Sequence, residues 1–215
     1  MDKNVQAIFD GLLMRHPELN MVKSSIEQAY EIIRTSYENG GKLMIAGNGG
    51  SAADSEHIVG ELMKGFVKKR PVDPAFRASL MSVDEAEGEK LADRLQGALP
   101  AIALTGHTAL TTAYANDVEG VYSFAQQLYG YGKPGDVFLG ISTSGNSRNI
   151  LAAATVGKAM GIRVIALTGC TGGRLKPLAD CAIVVPSSET FMIQELHLPV
   201  YHALCLMLEE TFFKS

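Results

Sequence analysis

The spacing of apolar and polar positions changes along the chain, and the change marks out its elements. Over residues 5–15, and again over 21–38, apolar side chains recur every three or four positions. In the second stretch they are Val22, Ile26, Ala29, Ile32 and Ile33. That stripe predicts two amphipathic helices, stopped by Pro17 and by Asn39-Gly40-Gly41. Beyond them the pattern becomes short apolar runs at 42–46, 101–104, 136–141, 163–167 and 181–185. Most are rich in Val, Ile and Leu, the look of strands buried on both faces of a parallel sheet. Helices are predicted at 51–67, 109–129, 147–160 and 173–179, with a long apolar helix at 193–213. Strand and helix in alternation predict an α/β class fold, a doubly wound five-stranded parallel sheet with N-terminal helices over 1–40. The whole of 1–215 reads as one domain.

One stretch breaks this rhythm. Between Arg70 and Pro100 lie Pro71-Val72-Asp73-Pro74 and a charged segment at 82–95. They predict a loop with one short exposed helix. The 70–100 stretch reads as an insertion or lid, too short to be a domain.

Composition narrows the function class. Hydrophobic residues make up 47% and charged residues 20%, enough for a sizeable core. The formal net charge is −4, so the basic footprint of a nucleic-acid binder is missing. The one basic cluster, Lys64 with Lys68, Lys69 and Arg70, reads as a solvated helix end or as part of an anion site. Cys170, Cys181 and Cys205 are odd in number and lack metal-ligand spacing. They argue against a disulfide framework and for a reducing compartment, so a cytoplasmic protein is expected. The N-terminus has no continuous apolar leader, and no apolar stretch approaches the roughly 18 residues of a membrane span. No membrane and no nucleic acid are therefore expected as partners.

In an open α/β sheet, ligands bind at the carboxyl ends of the strands. Two such ends are unusual. Gly47-Asn48-Gly49-Gly50-Ser51 follows the first strand. Its glycines let the backbone approach a ligand, and Ser51 could cap the next helix. A plain tight turn would also account for it. The spacing is not GxGxxG, so no dinucleotide is implied. Ser142-Thr143-Ser144-Gly145-Asn146-Ser147 follows the third strand. Four hydroxyls and an amide at a helix start suit the oxygens of a monophosphate, with an ordinary polar turn as the bland alternative. No lysine lies in this loop, which argues against a triphosphate site, and no nucleotide cofactor is expected.

Two helices could carry chemistry. His57 and Glu61 share a face at i, i+4, and can ligate a metal or form an acid/base couple. A surface pair without function has the same spacing. In the last helix Gln194 and His202 are a little over two turns apart and point roughly the same way. His197 lies off that line and reads as a buried or interface histidine. Pro199 costs the helix one hydrogen bond.

With GNGGS after strand one, ISTSGNS after strand three and IQELH with His202 in the last helix, the chain resembles the sugar isomerase (SIS) domain family, and within it the sedoheptulose-7-phosphate (phosphoheptose) isomerase branch. The resemblance implies a flavodoxin-like three-layer α/β/α fold, a homotetramer with active sites between subunits, and a small phosphorylated sugar as substrate. It implies that Ser142, Thr143, Ser144 and Ser147 hold the phosphate. Asn48, Gly49, Gly50, Ser51, Gln194 and the Asn116-Asp117 pair would lie against the substrate. Glu61 and His202 match the family's acid/base pair. His57, Glu61, Gln194 and His202 match the residues that hold zinc in some members. Ketose–aldose isomerisation passes a proton between adjacent carbons through an enediol, and a carboxylate with an imidazole suffices for it. Glu61 as a tight zinc ligand would compete with Glu61 as base. Two places depart from the branch. His107 replaces the acidic residue expected after strand two, and Phe191-Met192 replaces Asp-Arg. Both departures fall where the distal hydroxyls would be read. The alternative within the family is a non-catalytic module that binds a sugar phosphate or a protein, like a replication-initiation-associated relative. Such binders tend to lack the residue matching Glu61 or His202, and this chain has both.

Overall fold

The five predicted runs form one parallel sheet in the order β2-β1-β3-β4-β5. The strands are β1 (Leu43–Ala46), β2 (Ala101–Ala103), β3 (Val137–Ser142), β4 (Arg163–Thr168) and β5 (Cys181–Val184). The computed structural model describes residues 1–213; residues 214 and 215, the end of the expected 1–215 domain, lie outside the described residues. Every residue of β1 and β3 is buried. Alternate side chains feed opposite cores, as the two-residue period of a strand requires. Leu43, Ile45, Val137, Leu139 and Ile165 face one core, and Met44, Ala46, Phe138, Val164 and Ala166 the other.

The first core is roofed by α1 (Lys3–Arg15), α2 (Lys23–Glu38), α3 (Gly50–Met63) and α9 (Thr190–Phe212). The second lies under α7 (Ser123–Tyr131) and α8 (Arg148–Ala159). Helix α9 is long and apolar enough by length and composition to cross a bilayer, which the sequence reading did not anticipate. Half of its most apolar window is buried inside the fold, where it packs on α1, α2 and α3.

Several predicted elements are shorter or more broken than the pattern suggested. Helix α3 ends at Met63 instead of residue 67, because Lys64 is extended with φ −139° and ψ 174°. The 109–129 helix is interrupted: α6 (Thr108–Tyr114) passes into a π turn at Ala115–Glu119 and a short 3-10 turn before α7. Glu119 is extended with φ −161° and stops the run. The 173–179 helix is one 3-10 turn at Lys176–Leu178, since Gly172 and Gly173 take left-handed φ. Residues 70–100 hold two helices instead of one, α4 (Pro74–Val83) and α5 (Glu85–Arg94). Asp73 and Asp84 cap them by accepting from the Phe76 and Glu87 N–H groups. The base of this hairpin is closed where Gly97 N–H donates to the Arg70 carbonyl.

Candidate active site

The reversal of strand order falls between β1 and β3, so the loops that follow them lie side by side. Their side chains are stitched together. Asn48 Nδ2 donates to Asn149 Oδ1 at 3.0 Å, and Asn149 Nδ2 donates back to Asn48 Oδ1 at 2.7 Å. Gly47 is needed because a Cβ there would meet the Ser51 carbonyl oxygen at 2.3 Å. Helix α3 starts at Gly50 with Gly49 as its cap residue, and no side chain caps it. Ser51 is therefore inside the first turn and buried, a correction to its expected role as cap. A Cβ on Gly50 would sit 2.7 Å from Gln194 Nε2, which places Gln194 of α9 against this loop.

In the second loop, Ser142 Oγ and Ser147 Oγ lie 2.9 Å apart. Ser147 is the cap residue of α8, yet its side chain makes no capping bond. The loop's shape is set elsewhere. The Thr143 carbonyl accepts from Gly169 N–H, and Asn146 Oδ1 accepts from Arg174 N–H. Ser144 Oγ accepts from Asn146 N–H. Asn146 thus braces the loop, while the hydroxyls of Ser142, Thr143 and Ser147 stand at a helix start suited to an anion.

Helix α3 carries a second cluster. His57 Nε2 lies 3.3 Å from Glu61 Oε1, and Lys64 Nζ lies 2.8 Å from Glu61 Oε2. Glu61 is 13% exposed at its side chain against 43% for His57, so the carboxylate sits under the imidazole. From α9, His202 packs edge-on to His57 with ring centroids 5.0 Å apart, and Phe66 tilts over its ring at 5.4 Å. His202 Nε2 is buried and has no hydrogen-bond partner among the described residues. Burial first, and then His57, lowers the His202 pKa below the ordinary histidine value, with Glu61 opposing. Tyr201 adds a connection that the sequence reading missed. Its hydroxyl donates to Asp54 Oδ1 at 3.1 Å and lies 3.1 Å from His57 Nδ1. Burial raises the Asp54 carboxyl pKa, an effect partly offset by Tyr201 and His57. A signal was present: Asp54, His57 and Glu61 follow one another at steps of three and four on one helix face.

The donor types of His57, Glu61, His202 and Gln194 suit zinc, and the partnerless His202 nitrogen fits such a role. Among the described residues no three of His, Cys, Asp and Glu come together as a group that could hold a metal, so His57, Glu61 and His202 are not gathered round one point in this chain. Asn116 and Asp117 lie in the π turn, exposed, and Asn116 Nδ2 donates to Asp117 Oδ1 at 2.8 Å. Among the described residues no side-chain hydrogen bond or ion pair joins them to either loop. His107 precedes α6 and lies 3.2 Å from the Tyr131 hydroxyl. Phe191 and Met192 are exposed at the start of α9.

The chain is similar to known proteins along nearly its whole length. The SIS domain family matches residues 17–98 and 86–169. A phosphoheptose isomerase from Aneurinibacillus thermoaerophilus is 38% identical over 96% of this chain and 89% of its own. Two solved phosphoheptose isomerases superpose along nearly the full length, each 31% identical. The Neisseria gonorrhoeae protein gives a TM-score of 0.73 over 97% of this chain and 98% of its own. The Francisella tularensis protein gives 0.75 over 96% and 97%. With two loops paired at the switch point and relatives of this similarity spanning both, the chain belongs to the SIS domain family, in its phosphoheptose isomerase branch.

Proposed function

We propose that this chain is a sugar-phosphate isomerase that interconverts a phosphorylated ketose and aldose through an enediol, with sedoheptulose 7-phosphate or a related sugar as substrate. The observation that carries this reading is the Glu61–His57–His202 cluster, set on the two helices that reach the switch-point loops. In this reading the Ser142, Thr143, Ser144 and Ser147 loop holds the phosphate. Glu61 takes the proton from one carbon and returns it to its neighbour. His202, whose pKa burial lowers, exchanges the proton of the carbonyl and hydroxyl oxygens. The Lys64 ammonium on Glu61 Oε2 leaves Oε1 as the oxygen that faces the imidazole. Asn48 and Gln194 line the sugar side.

Three further parts of the proposal rest on chemistry and family membership. His57, Glu61, Gln194 and His202 would hold zinc, which when bound supplies a Lewis acid for the carbonyl oxygen. The chain would assemble as a homotetramer with sites between subunits. It would work in the cytoplasm, in keeping with its three free cysteines.

The test is a panel of phosphorylated ketoses and aldoses, assayed for isomerisation with and without a chelator. Turnover of a seven-carbon ketose phosphate is expected. A Glu61→Gln variant should bind the sugar phosphate nearly as well and turn over slower by about 10²–10⁴-fold. Binding without turnover across the panel in the unaltered chain would instead favour a non-catalytic module. Activity unchanged by chelation, in protein free of zinc by elemental analysis, would remove the metal from the proposal.

A further inference from the structure

Asp54, Tyr201 and His57 form a chain of hydrogen bonds whose direction is fixed by what each group can offer. The Asp54 carboxylate only accepts. The single hydrogen of the Tyr201 hydroxyl is therefore committed to Asp54 Oδ1, at 3.1 Å. That leaves the Tyr201 oxygen as an acceptor, 3.1 Å from His57 Nδ1. The hydrogen between them must belong to Nδ1. A neutral His57 ring then carries no hydrogen on Nε2, which lies 3.3 Å from Glu61 Oε1. Two lone-pair bearers face each other across that gap. They repel until something positive settles between them, whether a substrate hydroxyl hydrogen, a proton or a cation.

We infer that Asp54 and Tyr201 are positioning residues that lock His57 as its Nδ1–H tautomer and present its bare Nε2 beside Glu61. The pair acts on the reaction through His57 and touches no reacting atom. A second partner on the far ring nitrogen is how proteins fix which nitrogen of a histidine is free. Helix packing makes the device rigid. Asp54 and His57 are one turn apart on α3, and Tyr201 reaches them from α9, with its ring packed edge-on to His57 at 5.6 Å between centroids. The inference deepens the isomerase reading and rests on it for the role of Glu61, while the tautomer itself is independent of that reading.

The test uses the full-length chain, labelled with ¹⁵N-histidine, stripped of metal and held at about pH 8, above the usual histidine range. Long-range proton–nitrogen correlation spectra then report which ring nitrogen carries the hydrogen. His57 should be Nδ1–H in the unaltered protein. Tyr201→Phe removes the acceptor. Asp54→Ala frees the hydroxyl hydrogen to turn toward Nδ1. Each should move His57 to the Nε2–H form, with thermal stability close to the parent's. In separate samples never stripped of metal, kcat of each variant should fall about tenfold and KM change less than about twofold, and the double variant should be no slower than either single one. If one variant does not fold, the other carries the test. An Nε2–H ring in the unaltered protein, or the same tautomer in parent and folded variants, overturns the inference. The expected tautomers in a protein that isomerises no sugar phosphate would uphold it and overturn the isomerase reading instead.

Discussion

At the scale of single residues, burial decides which ionisable groups carry a penalty. His197 is fully buried in α9, and neither ring nitrogen meets hydrogen-bond geometry. The nearby Thr168 backbone offsets a small part of the burial effect. Burial lowers the His197 pKa to about 4. An unfolded chain binds this proton near pH 6.5, and the folded one does not until about pH 4. Stability is therefore complete above pH 6.5 and is lost as pH falls through the window between the two values. The contribution of this group between pH 7 and 5 should be about 2 kcal/mol. Urea unfolding of the parent and of His197→Phe at the two pH values checks it; an equal loss in both would mean that another group causes the pH dependence. Helical phase sets His197 off the line of Gln194 and His202, and its burial fits a histidine of the core. Tyr201 went unread because a tyrosine next to a histidine has no spacing signature; its meaning comes from α3, more than a hundred residues away.

At the scale of elements, two local devices hold the site's helices and loops. Gly145 has φ +67°, and a Cβ there would lie 2.0 Å from the Gly172 carbonyl oxygen. Gly145→Ala should therefore displace the loop that carries Ser142, Thr143, Ser144 and Ser147. We expect a cost of about 1–3 kcal/mol in stability together with weaker binding of sugar phosphate by calorimetry; unchanged affinity would show that the loop does not hold the anion. The end of α3 is held differently. Arg70, 1% exposed, donates to the carbonyls of Leu62 and Glu61 and, through Nε, to Glu209 Oε1 at 2.8 Å. Glu209 also accepts the N–H groups of Phe66, Val67 and Lys68. Burial alone would raise its pKa, but these N–H groups and the guanidinium hold its carboxyl below the usual range. Glu209→Leu should leave Arg70 unpaired and cost about 3–5 kcal/mol by denaturant unfolding. A loss below about 1 kcal/mol would mean that solvent reaches the guanidinium. The strands and most helices were legible because their periods are strong. The breaks at Lys64, Glu119 and Gly172 were not, since they depend on backbone conformations that side-chain periodicity does not encode. Arg70 looked like part of a solvated helix end, and only the fold reveals the acid that buries it.

For the whole molecule, the loop motifs were readable and so was their placement at strand ends, because an open parallel sheet has one ligand-binding edge. Which two loops meet was not readable from either motif alone; it follows from the order of the strands. The α4–α5 hairpin lies on the connection between β1 and β2. Its helices bury only Gly88 and Ala92 and contact mainly each other. Inserting a flexible Gly/Ser segment beside Asp84 at its tip should leave Tm within a few degrees of the parent's, because even doubling a loop adds only about 0.6 kcal/mol of closure entropy. A large drop in Tm would place the hairpin in a structural contact. The pairing of residue 43 with residue 137 has a kinetic consequence. The two switch-point loops belong to segments that meet only when β1 and β3 zip together across that long intervening span. Local helices form early, whereas such non-local pairing is slow. During refolding, recovery of ligand capture should therefore trail the return of helical circular dichroism, and a chain that has collapsed without registering those two strands would carry every site residue and still bind nothing.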